Sequence, residues 1–176
     1  MQETCFQEDW YAAFVKTGDE SNVKERLKYR FKDSLGFYVP KREMKERRDG
    51  KWCRILRTVF PGYVLINGHI DVEEYYRLKY VPNMYKLLTQ GTQITPIDSH
   101  EIDTIVSLMR HGEIIGTSSI MRTGEKVKVL DGPLVGMEGK IQSINERKNR
   151  VRIIVPFLGS ERVVDLAVEL LKSVDV

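Results

Sequence analysis

The chain has 176 residues, enough for one ordinary domain or two small ones, with 41% hydrophobic and 30% charged side chains and a net charge of +3. No apolar run is long enough to span a bilayer, and Met1-Gln2-Glu3-Thr4-Cys5 has neither the basic start nor the apolar centre of a signal peptide. Cys5 and Cys53 give no metal-ligand spacing and no disulfide framework, so two reduced thiols in the cytoplasm are expected.

In chain order, Trp10 to Lys16 reads as a strand. A helix opens at Ser21, with Val23, Leu27, Phe31 and Leu35 recurring every fourth residue on one buried face. Phe37 to Pro40 is extended. Asp49-Gly50 signals a hairpin turn, from which Trp52 to Val59 returns as a strand. A short strand, Tyr63 to Ile66, follows Pro61-Gly62. The next helix starts near Asp71, with Glu74 placed for a capping box, and stops before Pro82. Tyr85 to Thr89 is a strand. Asp98 and Glu101 cap a third helix with Ile102, Ile105, Val106 and Met109 at helical spacing. This order predicts an α+β layout, with helices packed on a mostly antiparallel sheet.

Beyond Arg110 the texture changes. The run His111 to Ser119 holds two glycines and three consecutive small hydroxyl residues, the composition of a linker. Lys126 to Leu130, Lys140 to Ile144, Arg150 to Leu158 and Glu161 to Leu166 then read as short strands punctuated by glycine turns, which predicts a small β-barrel. The expected division is residues 1–111, a linker at 112–121, and 122–176. The glycines at 132, 136 and 139 lack the Lys-Ser/Thr and helix of a phosphate loop and read as barrel turns.

Two basic clusters stand out. Lys41 to Arg57 holds eight basic against three acidic residues, and Arg147 to Arg152 holds four basic and none acidic. On charge alone, solvated surface and phosphate contact both remain open for each. His69, His100 and His111 neither cluster nor pair with a cysteine, and no catalytic grouping or cofactor motif is apparent, so neither an enzyme nor a cofactor is expected.

Trp10-Tyr11, the basic hairpin, Phe60-Pro61-Gly62-Tyr63-Val64 and Val81-Pro82-Asn83 resemble the amino-terminal domain of the NusG family of transcription factors. Gly124-Glu125-Lys126-Val127-Lys128-Val129, Gly132-Pro133, Gly136 and Gly139 resemble a KOW motif, and Val151 to Val164 its closing strands. The resemblance covers roughly residues 9 to 172 and implies a NusG amino-terminal (NGN-like) domain followed by an SH3-like KOW barrel. It implies a monomeric elongation or antitermination factor that grips the clamp helices of the RNA polymerase β′ subunit through Trp10, Tyr11, Phe60 and Tyr63, with no membrane association. Arg47, Arg48 and Lys51 would brace upstream or non-template DNA. A KOW protein associated with ribosomes or with RNA in general is the alternative.

Leu134 and Met137 stand where the family commonly has loop aromatics that engage the factor Rho or a ribosomal protein. That departure suggests a specialised paralogue, of the RfaH and LoaP kind. The turn Arg147-Lys148-Asn149-Arg150, with Arg152 and Lys140, is the candidate RNA-binding face. A folded RNA hairpin is the expected ligand, since no aromatic platform is expected near this turn to stack splayed bases.

Overall fold

The computed structural model describes residues 9–88, 93–124 and 126–171. Cys5, Thr89 and Glu125, each part of a sequence expectation above, lie outside them. No helix among the described residues is long and apolar enough to cross a membrane. The chain divides into two compact units, one built from residues 9–40 and Thr58–Ile102, the other from Lys41–Arg57 and residues 103–171.

The first unit is a four-stranded antiparallel sheet with two helices. Its strands are β1 (Trp10–Val15), β2 (Gly36–Tyr38), β5 (Tyr63–Asn67) and β6 (Met84–Leu87), in the order β2-β5-β1-β6. Strand side chains alternate between faces. Tyr11, Ala13 and Val15 therefore join Val64, Ile66 and Phe37 on one face. Against it pack Val23, Leu27 and Phe31 of α1 (Glu20–Phe31) and Leu78 of α2 (Val72–Lys79). The helix positions are those the fourfold spacing predicts, although Leu35 lies past the helix end in the same core. The expected capping box at α2 forms, with Glu74 N–H donating to Asp71 at 2.8 Å and Asp71 N–H to Glu74 at 3.4 Å.

Asp19 sits before α1 but does not cap it. Its carboxylate accepts from Asn22 and Asn83, each at 2.6 Å, and from Arg26 at 3.0 Å. Those hydrogen bonds, Asn22 and Asn83 foremost, hold its pKa near about 2. They tie α1 to the Val81-Pro82-Asn83 segment.

In the second unit, β3 (Lys41–Arg48) and β4 (Lys51–Thr58) form the basic hairpin, and β7 (Ile114–Ile115) adds in parallel to β3. Asp49 and Gly50 both have positive φ, +50° and +78°, as a tight two-residue hairpin turn requires. Five further strands, β8 (Ser118–Thr123), β9 (Lys126–Asp131), β10 (Ile141–Asn145), β11 (Arg150–Phe157) and β12 (Ser160–Leu171), run in the order β10-β11-β12-β8-β9. Val151, Ile153, Val155 and Phe157 alternate inward with Val164, Leu166, Ile120 and Val129 to fill the small barrel. The twelve-residue β12 pairs antiparallel with β11 and then, from Val168, parallel with β8. The third helix, α3 (Ser99–Leu108), crosses the boundary between the units along the chain. Asp98 accepts from His100 N–H at 2.8 Å, one residue before the position the capping pattern predicts.

The stretch expected as a linker, 112–121, instead carries β7 and most of β8. Its small residues serve packing. A Cβ on Gly132 (φ +98°) would lie 2.6 Å from Ser118 Cα, so backbone meets backbone there. Ser118, buried, accepts at its hydroxyl from Leu134 N–H at 3.1 Å and fixes the Gly132-Pro133-Leu134 turn.

Candidate interaction surfaces

The four aromatics expected to form one apolar surface do not share a face. Tyr11 points into the helix-covered core, and burial, helped by Asp9, raises its phenol above the usual range. Trp10 lies on the opposite face, buried, with its ring 5.3 Å from that of Tyr38. Phe60 is buried as well, at 4% exposure. Only Tyr63 of the four is partly exposed.

Tyr63 belongs to a row the sequence reading missed. Phe14 pairs with Tyr63 across β1 and β5, with ring centroids 5.7 Å apart, and Tyr85 on β6 closes on Phe14 at 5.5 Å. Phe14 is half-buried and Tyr85 is 59% exposed. Three rings thus run across three adjacent strands on the sheet face away from α1 and α2. Parity along β1 could have found Phe14, four residues from Trp10 on the same side. Tyr85 needed the strand order.

The loop that presents Tyr63 is pinned from below. Gly62 (φ +85°) donates its N–H to Glu20 Oε1 at 2.7 Å, and Gly18 N–H donates to the same oxygen at 3.0 Å. Glu20 is 5% exposed. Burial alone would raise its carboxyl, but the backbone N–H donors outweigh it and hold the pKa below the usual range. Phe60 O accepts from Tyr63 N–H and Gly62 O from Val15 N–H, closing the turn onto β1.

At the hairpin tip Arg47, Arg48 and Lys51 are all exposed, and Arg47 Nε donates to Gly50 O at 3.2 Å. Nearer the base, Arg57 pairs with Glu46 at 3.1 Å and Arg54 with Glu43 at 3.6 Å. The charge available for a ligand is therefore concentrated at the tip. Arg42, by contrast, is half-buried, donates to Asp165 O at 2.6 Å, and is pushed below its usual pKa by desolvation.

The second basic cluster is a short 3-10 turn, Glu146–Lys148, capped by Asn145, whose side chain accepts from Lys148 N–H at 3.0 Å. Asn149 then takes the left-handed conformation, φ +50°. Arg147, Lys148 and Asn149 are exposed. Arg150 is half-buried, 3.9 Å from Glu46 and 3.4 Å from Lys45 O. Arg152 is committed to Asp165 at 2.9 Å, which raises the arginine and lowers the aspartate. Lys140 precedes β10 whereas the turn follows it, so the strand's length, about 17 Å at roughly 3.3 Å per residue, separates them. Lys140 does not join this face.

Two further expectations change. Leu134 and Met137 are buried, at 0% and 6%, so they are barrel core and not an exposed loop surface; Val135 is the exposed apolar residue between them. The basic turn is also not remote from aromatics. A cavity of about 700 Å³ within the second unit is lined by Lys148, Asn149 and Arg150 together with Lys45, Trp52 and Arg54 of the hairpin.

A family model described as "Transcription termination factor nusG" matches residues 8–106, more than half of the chain, and a KOW motif model matches residues 123–154. The chain belongs to the NusG family. It is 29% identical over 170 residues to the transcription termination/antitermination protein NusG of Bacillus subtilis, spanning 91% of this chain and 95% of that protein. It is 31% identical over 175 residues to the NusG of Xylella fastidiosa, spanning 89% and 94%. The fold matches a solved structure described as "Domain interaction in Thermotoga maritima NusG" with a TM-score of 0.59, 24% identity and coverage of 90% and 93%. The chain is accordingly a NusG-family transcription termination/antitermination factor of α+β architecture with a KOW barrel.

Proposed function

We infer that the chain acts as an elongation and antitermination factor that grips the β′ clamp helices of RNA polymerase. The observation that carries this is the aromatic row Phe14, Tyr63 and Tyr85 at the partly exposed end of the sheet face away from α1 and α2, a surface suited to receiving an apolar helix. Trp10 lies buried on the same face, Phe60 is buried in the turn that precedes Tyr63, and Tyr11 leaves the contact set. A factor that binds the closed clamp better than the opened, paused one shifts the population toward elongation without catalysis.

Arg47, Arg48 and Lys51, exposed at the hairpin tip, brace upstream DNA in this reading. Arg147, Lys148, Asn149 and Arg150 meet nascent RNA or a partner protein. Between the buried Leu134 and Met137 the first barrel loop exposes Val135 and no aromatic, which favours a specialised paralogue.

Affinity for core RNA polymerase, measured by biolayer interferometry, tests the reading. Tyr63→Ala and Phe14→Ala should each weaken binding by roughly tenfold or more, as central aromatic anchors do. Phe60→Ala should lower the melting temperature instead. Wild-type affinity in both surface variants would refute the clamp contact, and RNase-sensitive association with ribosomes would favour a ribosomal role.

A further inference from the structure

The hairpin and the barrel turn, far apart in sequence, line one groove, and it carries the features of a single-strand site. Lys45, Trp52 and Arg54 come from β3 and β4, and Lys148, Asn149 and Arg150 from the turn before β11. The volume, about 700 Å³, lies within the range of ligand-binding clefts. Four of those six side chains are cationic. Arg54 shares its charge with Glu43 and Arg150 with Glu46, at 3.6 and 3.9 Å, while Lys45 and Lys148 are exposed and have no acidic partner among the described residues. One carboxylate, that of Glu169, lines the same groove.

Trp52 decides the ligand class. It is 69% exposed, an unusual placement for a tryptophan that nothing in the unit's own packing requires. Every nucleobase has a π-face that stacks on such a ring, but a duplex hides those faces between neighbouring pairs. A cation-lined groove with an open indole therefore fits an unpaired strand, with phosphates on the lysines and a base on the ring. Asn149, exposed on a left-handed residue, offers an amide to a base edge.

We propose that this groove binds a single-stranded polynucleotide, with Trp52 as the stacking platform and Lys45 and Lys148 as phosphate contacts. The site joins turn residues that the proposed function assigns to RNA or a partner protein with hairpin residues, Lys45, Trp52 and Arg54, to which it gives no role. It does not depend on polymerase binding through the aromatic row.

Fluorescence anisotropy of the full-length protein with labelled short oligo(rU), oligo(dT) and a mixed-sequence DNA duplex tests the site. A single strand should bind more tightly than the duplex, and the tighter of the two oligonucleotides identifies the source as RNA or DNA. Trp52→Ala should weaken that binding by about tenfold, while Trp52→Phe retains most of it. Lys45→Ala and Lys148→Ala should each reduce the salt slope by about 0.7. All four variants alter exposed side chains, and their melting should match wild type.

Loss of binding in Lys148→Ala with wild-type affinity in Trp52→Ala and Lys45→Ala would overturn the groove while leaving the turn as an RNA contact. Equal or tighter binding of the duplex would overturn it too, as would competition by oligoglutamate as effective as by oligonucleotide. None of these outcomes bears on Tyr63 and the polymerase.

Discussion

Glu20 is the residue through which the fold positions Tyr63, and replacing it tests that account quantitatively. Both of its partners, Gly18 N–H and Gly62 N–H, converge on Oε1. Glu20→Ala leaves the buried Gly62 N–H without an acceptor, which costs about 1–3 kcal/mol. It also removes a carboxylate from the first turn of α1, worth roughly 0.3–1 kcal/mol. Gly18 is nearer solvent and water can replace its partner, so the total should be about 1–4 kcal/mol. Glu20→Gln keeps one carbonyl oxygen where Oε1 stands and should cost less than about 1.5 kcal/mol, the loss of charge assistance alone. Urea unfolding of the full-length variants, followed by far-UV circular dichroism, gives both numbers.

The pH dependence has a definite sign. The folded carboxyl is held below its unfolded value, so its contribution is complete above the ordinary glutamate range and fades as pH falls through the folded pKa. Glu20→Gln should lose that portion of the acid sensitivity. An alanine variant within about 0.5 kcal/mol of wild type would mean that Gly62 finds another acceptor, and the proposed pinning of the loop would be wrong.

Gly132→Ala should destabilise the second unit by about 2 kcal/mol or more, because the added Cβ meets Ser118 Cα at 2.6 Å and the residue sits at φ +98°; thermal melting near that of wild type would refute it. A fragment starting at residue 112 should fold alone, whereas one starting at 122 loses the pairing of Ser118–Met121 with Val168–Leu171 and should melt lower, as heteronuclear NMR and thermal scans would show.

Much of this architecture was legible in the residues. Helical spacing at Val23, Leu27 and Phe31, the Asp71/Glu74 box and the Asp49-Gly50 turn are local signals, and local physics decided each. The barrel strands were legible for the same reason, through alternation in Arg150 to Phe157. The segment Thr117-Ser118-Ser119 was not. Small hydroxyl residues look like linker composition, yet Ser118 is a buried strand residue whose backbone lies so close to Gly132, beyond the next strand, that glycine is required there. The basic turn was similarly misread as lacking an aromatic neighbour, because Trp52 is nearly a hundred residues away along the chain and meets it only through tertiary structure.

The four expected aromatics do not share one face, for a reason that lies in strand geometry. Trp10 and Tyr11 are consecutive, so a pleated strand must send them to opposite faces, and no extended segment can offer both to one partner. Once Tyr11 is placed in the helix-covered core, Trp10 and Phe14 take the other side, and the strand order β5-β1-β6 decides which rings flank them. Tyr63 and Tyr85 are those rings. Burial then separates roles within that face. Trp10, at 2% exposure, can only support, while Tyr85, at 59%, leaves more than half its surface for a partner. A substitution in Trp10 or Phe60 that weakened polymerase binding would therefore act through the shape of the sheet. The same loss in Tyr63 or Tyr85, without a change in melting, would report the contact itself.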